Sequence, residues 1–434
     1  GERTDTPVGI SDSEAVYGFP NVVRANVDVS VKLPLGWTVV VPGELRSEKQ
    51  ELGRRSVRYS SETPILPMFS IVAAPWRILN DASGRVDVLT SPYHVANATA
   101  FKQGSEAALD YCETLFGPYG RSRLRVAEVS SFEPAAQSHD GVILIPETFG
   151  FNADIRADGV YSRLADRMSV DPTLLVAAHE VAHQWWGHRL LPADVIGSPF
   201  VMESVAQFVA LSAIERVQGH RRWRVAMRQQ QREYFEGRAN SRVSELPLVR
   251  TSSSPHVLYA KGSIALFRLR DAVGQIVLDE ALAEYFLDFT SVDRRATPSS
   301  FVQYLARAAG ENSDLVHELF EEVITYDLIA RTASLYTDGA TGRLVSDYEI
   351  VLERSGALSP ARQKSPARVT VEWRDGERVI LTEQLKLQPG RNRLRATLPH
   401  APTEIVVDPD SLFLDANVNN NRRLLTAGTV SADQ

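Results

Sequence analysis

The sequence contains few of the residues that build sulfur-based or membrane-spanning structures. It has one cysteine, Cys112, among 434 residues. This excludes an intramolecular disulfide and any multi-cysteine zinc site, so a bound metal must be held by histidine and carboxylate side chains. Cys112 lies in the apolar pattern of LDYCETLF, which predicts a core position. No run of about 18 apolar residues occurs, and no transmembrane helix is predicted.

The chain also lacks a strong excess of charge of either sign. The formal net charge is −7, with 23% charged and 44% hydrophobic residues, a balance typical of globular proteins. The mild negative charge argues against nucleic-acid binding as the main task. A local basic group is interpreted as a solvated helix face; it comprises Arg221, Arg222, Arg224, Arg228 and Arg232.

The most informative segment is Leu174–His188, which reads LLVAAHEVAHQWWGH. On a helix, His179 and His183 lie on one face because they are four residues apart. With Glu180 they form the HExxH pattern, in which two histidines hold Zn²⁺ and the glutamate handles the proton of the metal-bound water. The surrounding run is apolar, and buried polar groups need partners. A metal satisfies this need; two core histidines with protein partners are the alternative.

A catalytic zinc site takes three protein ligands and keeps one open position. Glu203 lies 20 residues after His183 in a predicted helix, among apolar neighbours. Asp194, in the loop LLPADVIGS, and His188 are the other candidates. The spacing of His188 does not fit a HExxHxxGxxH site. We therefore favour Glu203 as the third ligand.

The segments HEVAHQWWGH and MESVAQFVAL resemble the aminopeptidase N and leukotriene hydrolase family of zinc metallopeptidases, which are gluzincins. That family reads HExxHxWxGN followed by Asn-Glu-Gly. Here His188 replaces the asparagine, Ser204 replaces the glycine, and Glu203 falls one residue later. The segment Tyr259-Ala260-Lys261-Gly262 resembles the family's Tyr-x-Lys-Gly, which implies that Tyr259 stabilises the oxyanion.

The sequence departs from the family at its Gly-Ala-Met-Glu-Asn motif, whose glutamate holds the free amino terminus of the substrate. Residues 135–139, Ala-Ala-Gln-Ser-His, fall in its place, so the anchoring glutamate becomes Ser138. The resemblance implies that Ala136, Gln137 and Ser138 contact substrate. Glu147 lies nearby in the sequence and is predicted as a partial replacement for the lost carboxylate; a glutamate exposed to solvent at a strand end is the alternative. The Ala-Gln-Ser pattern resembles a bacterial branch in which the peptidase is joined to an ABC-transporter-type permease.

The strand and helix patterns predict an α+β multidomain fold. A β-rich domain is expected at residues 1–78, either whole or as one part of a larger β domain. A thermolysin-like, mainly helical catalytic domain follows at 79–333. Alternating patterns then predict a C-terminal β-sandwich at 334–425 and a loose tail at 426–434.

These observations predict a zinc-dependent metallopeptidase with one Zn²⁺ per chain. The expected partner is a peptide, and the expected activity is that of an aminopeptidase. Two alternatives stay open: an endopeptidase or atypical peptidase that lacks the amino-terminal anchor, and a non-catalytic zinc-containing peptide-binding or scaffold module. The permease resemblance implies the extracytoplasmic part of a larger membrane protein; a cytoplasmic location is the alternative.

Overall fold

Strands come first, helices occupy the middle of the chain, and strands return at its end. The computed structural model describes residues 24–80, 84–130, 136–147, 171–290, 294–356 and 364–427. This order of elements confirms the predicted α+β fold class. Ala135 and most of the predicted C-terminal tail lie outside the described residues. The domain boundaries at residues 78, 333 and 425 stay a prediction.

The first strands form two small antiparallel units. One is a three-stranded sheet in the order β1-β4-β3, and the other is the pair β2-β5. The strands are β1 (Asp28–Pro34), β2 (Thr38–Val40), β3 (Glu44–Glu51), β4 (Arg54–Ser60) and β5 (Val72–Ala74). Strand β3 was not predicted, because its sequence, ELRSEKQE, has no apolar alternation. It lies at a sheet edge with nearly every residue exposed.

A five-stranded sheet then forms one wall of the catalytic region, in the order β6-β7-β8-β10-β9. Its strands are β6 (Arg77–Leu79), β7 (Val86–Thr90), β8 (Leu124–Val129), β9 (Gln137–His139) and β10 (Val142–Pro146). The three central strands are parallel and almost completely buried, whereas the edge strand β9 runs antiparallel to β10. This edge carries the segment that was predicted to contact substrate.

The middle of the chain is helical. Its α-helices are α1 (Ala98–Phe116), α2 (Pro172–Ala182), α3 (Ser198–Gln218), α4 (His220–Asn240), α5 (Gly262–Val273), α6 (Gln275–Thr290), α7 (Pro298–Ala309) and α8 (Ser313–Glu321). A π-helical turn, His256–Lys261, leads directly into α5. The central helix is α3, in which every residue from Ser198 to Ile214 is buried. Because its sequence is apolar on all sides, it needs neighbours all round.

Helix α2, which carries the HExxH pattern, begins at an Asp-Pro pair that favours a helix start. The Asp171 side chain accepts a hydrogen bond from the Thr173 backbone N–H (3.0 Å), and Pro172 occupies the first turn. Such a cap satisfies a helix donor that would otherwise have no partner. Helix α1 packs closely on α2 because a Cβ atom at Gly104 would lie 2.4 Å from the Leu174 carbonyl oxygen. Cys112, on α1, is buried as predicted.

The C-terminal part is a β-sandwich of two four-stranded sheets, in the orders β15-β12-β11-β18 and β14-β13-β16-β17. Its strands are β11 (Ile324–Thr337), β12 (Leu344–Gly356), β13 (Ala367–Asp375), β14 (Arg378–Leu387), β15 (Gly390–Leu398), β16 (Glu404–Val407), β17 (Arg422–Leu424) and β18 (Thr426–Ala427). The sequence predicted a mainly helical domain as far as residue 333. Strand β11 instead begins at Ile324, where alternate residues become buried.

The basic group on α4 is only partly exposed to solvent. Arg224 is partly buried; its Nη2 donates to Glu372 (2.6 Å) and its Nε to Asp410 (2.5 Å). Both acceptors belong to the C-terminal β region, so part of this face binds the helical region to the sandwich. Arg221 keeps the predicted exposure and pairs with Glu377 at the surface. The prediction was therefore wrong for Arg224, since its tertiary partners lie about 150 residues or more away along the chain.

Candidate metal and catalytic site

Three ligand atoms from α2 and α3 converge at one point. The Nε2 atoms of His179 and His183 lie 3.1 Å apart. Oε2 of Glu203 lies 3.2 Å from Nε2 of His179 and 3.5 Å from Nε2 of His183. Helix α2 supplies both imidazoles from one face, and the buried helix α3 brings in the carboxylate. The three residues predicted as metal ligands are therefore brought together.

The geometry of this cluster fits a zinc ion. A tetrahedral site with bonds of about 2.0–2.2 Å separates its ligand atoms by about 3.3–3.6 Å, close to the three distances observed. Two imidazole nitrogens at 3.1 Å repel through their lone pairs unless a proton or a cation lies between them. Two histidines and a glutamate are also an established donor set for catalytic zinc. The donors present therefore suit Zn²⁺.

Both imidazoles are oriented by bonds from their other nitrogen. Nδ1 of His179 lies 3.0 Å from Oε1 of Gln207, one turn after Glu203 on α3. Nδ1 of His183 lies 2.9 Å from the Trp186 carbonyl oxygen. Since both oxygens are acceptors, each Nδ1 carries the proton and donates it. Each Nε2 then presents its lone pair to the metal position, the arrangement that orients metal-binding histidines.

The electrostatics of the metal-free cluster match this arrangement. Burial lowers the pKa of His183, but the facing Glu203 carboxylate outweighs burial and raises that pKa to about 9. Burial likewise opposes ionisation of Glu203, yet the two histidines hold its pKa well below the usual range. Without metal, a proton shared with His183 offsets the Glu203 charge. Binding of Zn²⁺ would displace that proton, because an imidazole ligand must be neutral.

Loss of the Gln207 acceptor should weaken zinc binding. In Gln207→Leu, Nδ1 of His179 loses its partner, and the ring and its tautomer are no longer fixed. We expect zinc affinity to fall about 10–100-fold, measured by competition with a chromophoric chelator. Gln231→Leu is the matched control, since Gln231 is a buried glutamine on α4 whose amide binds the Phe413 carbonyl oxygen. An equal loss in both variants would contradict the role given to Gln207.

The cluster opens into a cleft of about 480 Å³. Glu180 lines this cleft beside the three ligands. Burial raises its pKa, and the positive charge that His183 and His179 can carry partly offsets this rise. The cleft is otherwise mainly apolar, with Leu66 and Met68 contributed by the N-terminal β region. A buried carboxylate next to a metal position can accept and return a proton.

Tyr259 also lines this cleft. It lies in the π-helical turn before α5. Its ring meets the His179 ring edge to face, with centroids 5.4 Å apart. Single π-helical turns occur often at functional sites. The structure thus places Tyr259 near the cluster, as the resemblance implied, and its role in catalysis stays a prediction.

The predicted substrate segment is bound to the metal helix. Ala136, Gln137 and Ser138 all line the cleft. The Ser138 hydroxyl donates to the Glu180 carbonyl oxygen (2.9 Å) and accepts from Nε2 of Gln184 (2.7 Å). Because both bonds go to α2 and the turn after it, the hydroxyl serves to hold β9 against the metal helix. It makes a poor replacement for an anchoring carboxylate.

Glu147 was predicted to compensate for the lost anchor, but it is not among the residues that line the cleft. Its carboxylate lies in a second group with His94 and Glu128, whose ligand atoms are within 4.8 Å of one another. These residues follow or end the adjacent parallel strands β7, β8 and β10. The carboxyl-terminal ends of those strands place Glu147 beside His94, in a group separate from the metal cluster.

The two other candidate ligands are not part of the metal cluster, although His188 lines the same cleft. Asp194 is exposed on its loop. Nε2 of His188 donates to the Ser138 carbonyl oxygen (3.0 Å), and burial lowers the pKa of His188 to about 4. His188 is therefore neutral and helps to hold β9, as Gln184 does. Neither residue belongs to the three-ligand group formed within the described part of the chain.

Several site residues were not predicted. Gln207 follows Glu203 by four residues, so helical spacing could have indicated it. Gln184, Leu66 and Met68 gave no sequence signal, because their roles arise from contacts between distant segments. Arg295 also lines the cleft, from the loop before α7. These residues enter the site only when the sheets and helices pack.

Residues 110–322 match the family model described as "Peptidase family M1 domain". The chain therefore contains a peptidase family M1 domain at these residues. The matched segment contains the HExxH helix, Glu203 and Tyr259. This match agrees with the resemblance noted in these motifs. No curated protein sequence matches the chain significantly.

One solved structure supports the fold at low sequence identity. A crystal structure of Legionella pneumophila aminopeptidase A in complex with aspartic acid is similar, with a TM-score of 0.59 and 16% identity over 94% of this chain and 45% of that one. An M1 zinc metallopeptidase from Deinococcus radiodurans has a TM-score of 0.48 and 16% identity, covering 69% of this chain and 64% of that one. The chain thus spans less than two thirds of either structure, and at these identities the likeness concerns the fold alone.

Proposed function

We propose that this chain is a zinc-dependent peptidase that hydrolyses peptide bonds in the cleft beside α2. The observation that carries the proposal is the convergence of His179, His183 and Glu203 within 3.1–3.5 Å, with Glu180 lining the same cleft. When bound, zinc supplies a Lewis acid that polarises the scissile carbonyl and lowers the pKa of a water molecule.

The side chains of the cleft have separate tasks in this reaction. Glu180 accepts the proton that the attacking water loses and delivers it to the amine as the C–N bond breaks. The Tyr259 hydroxyl donates a hydrogen bond to the oxygen on which negative charge develops. His179, His183 and Glu203 hold the metal, and Gln207 and the Trp186 carbonyl keep the imidazoles aligned.

The family resemblance supports removal of residues from the amino terminus of peptides. Cleavage of internal bonds is a second candidate, and a specific observation favours it. The Ser138 hydroxyl, at the position of the family's anchoring glutamate, is bound on both sides to the metal helix and its turn. A neutral hydroxyl binds an ammonium group more weakly than a carboxylate does.

Matched peptides that differ only in N-acetylation test both proposals. We expect the zinc-loaded protein to cleave peptides and the chelated protein to lose this activity until zinc is restored. An aminopeptidase should release the first residue of the free peptide only, since it requires the ammonium group. Comparable cleavage of both peptides, with internal products detected by mass spectrometry, would reject the aminopeptidase proposal. No zinc-dependent cleavage across a broad peptide library would favour the scaffold alternative.

A membrane-protein context is a separate proposal that rests on the permease resemblance. In the described part of the chain, no helix combines the length and apolar character needed to cross a membrane. Sequencing the complete gene tests the proposal. Transmembrane segments encoded beside the peptidase region would support it, and a gene that encodes none would reject it.

A further inference from the structure

In the turn that carries Tyr259, the hydrogen bond of the Gly262 N–H departs from the α-helical pattern. In an α-helix the Gly262 N–H would donate to the carbonyl oxygen of Leu258, four residues earlier. It donates instead to the carbonyl oxygens of Val257 and Tyr259. This π-helical arrangement bypasses the Leu258 carbonyl as the acceptor for Gly262. A buried carbonyl in that position needs another donor.

Ser204 supplies that donor. Its hydroxyl donates to the Leu258 carbonyl oxygen at 2.6 Å. Ser204 is completely buried on α3 and directly follows the metal ligand Glu203. The family has glycine at this position, which cannot make this bond. The hydroxyl therefore joins the backbone of the Tyr259 turn to the residue beside a metal ligand.

Shape complementarity fixes the same contact. A Cβ atom at Gly262 would lie 2.0 Å from Oγ and 2.5 Å from Cβ of Ser204. The Ser204 side chain thus fills the space that Gly262 leaves open. A second bond holds the end of the turn, because Nζ of the buried Lys261 donates to Glu245 at 2.7 Å. The turn is held between α3 and Glu245.

We propose that Ser204 is a positioning residue that stabilises the π-helical turn and thereby directs Tyr259 towards the metal cluster. Without its hydroxyl, the Leu258 carbonyl loses its donor and the turn can return to α-helical bonding. That change shifts the residues before Gly262 by about 100° around the helix and turns Tyr259 away from His179. The inference rests on the proposed function to the extent that Tyr259 acts in catalysis.

A double-mutant cycle with Tyr259 tests this role. We expect Ser204→Ala to lower kcat by at least about 100-fold, because a misplacement of only about 1 Å can already cost that much, with KM and zinc content nearly unchanged. In the Tyr259→Phe background, Ser204→Ala should cause almost no further loss. Equal loss factors in both backgrounds would overturn the proposal, because Ser204 would then act independently of Tyr259.

Ser212→Ala is the matched control. Ser212 is also a buried serine on α3, and its hydroxyl donates to the Phe208 carbonyl oxygen (2.9 Å) within the same helix. We expect its kcat to equal that of the unaltered protein. If Ser204→Ala does not fold, Ser204→Cys is the second test variant, since its side chain still fills the space of the serine, with a somewhat larger atom, and has only a weak donor.

A crystal structure of Ser204→Ala separates this inference from the proposed function. The proposal expects the Gly262 N–H to move to the Leu258 carbonyl and the Tyr259 ring to leave His179. An unchanged π-helical turn would overturn it. This result does not depend on peptidase activity, so an inactive unaltered protein would reject the proposed function while the structure still decides the role of Ser204.

Discussion

Glu180→Gln is expected to lower peptidase kcat/KM by about 10³–10⁴-fold and to leave zinc binding intact. Glutamine has nearly the same shape as glutamate, so His179, His183 and Glu203 keep their positions around the metal. Its amide cannot accept the proton of the attacking water, and general acid–base catalysis contributes about 10²–10⁴-fold. The measurement pairs steady-state kinetics on one peptide with zinc content by mass spectrometry.

A buried glutamate distant from the cleft provides the control for this change. Glu404, on β16, is as well buried as Glu180 and pairs with Arg422 in the C-terminal sandwich. Glu404→Gln should keep the full activity per folded molecule. If Glu180→Gln retained more than about a tenth of the kcat/KM, the proton-transfer role of Glu180 would be rejected.

The second large effect concerns the metal itself. Glu203→Gln should lower zinc affinity by more than about 100-fold, because it removes a metal ligand and its negative charge. Loss of a residue that only supports a ligand costs up to about 100-fold. Glu203 is buried and supplies the carboxylate that faces both histidines. Chelator competition measures the affinity, and activity at limiting zinc should fall in parallel.

Asp194→Asn distinguishes Glu203 from the other carboxylate that the sequence offered. Asp194 is exposed on its loop, and its replacement should leave zinc affinity unchanged. If Asp194→Asn released zinc and Glu203→Gln did not, the ligand assignment would be reversed. Circular dichroism of both variants establishes that loss of fold does not explain loss of metal.

Local sequence patterns predicted most elements of the catalytic region. Strand β8 matches the apolar pattern of Leu124–Val129, and α2 and α7 begin at the cap-and-proline pairs Asp171-Pro172 and Thr297-Pro298. Helix α3 begins at the similar pair Ser198-Pro199, although its cap is Gly197. Those signals act within a few residues, so they can be recognised in the sequence alone. Strand β3 and the start of β11 were not predicted. The first has no apolar alternation, and the second directly follows the amphipathic helix α8, so tertiary pairing decided both.

The metal cluster was also predictable, because it depends on spacing within two helices. His179 and His183 share a face through their separation of four residues, and Glu203 lies in the next predicted helix. The contacts of the cleft were different. The position of Glu147 beside His94, and of Ser138 against Glu180 and Gln184, depends on how the sheet packs on α2.

The sequence by itself therefore determined the chemistry of the HExxH helix: two imidazoles on one face, a carboxylate between them, and a second helix with the third ligand. Helical periodicity is local and needs no tertiary information. Only the tertiary structure decided which groups surround that chemistry. In the folded protein the Ser138 hydroxyl donates a hydrogen bond to α2, and the Ser204 hydroxyl donates one to the turn that carries Tyr259. These bonds depend on tertiary structure, since they join residues 42 and 54 positions apart in the chain.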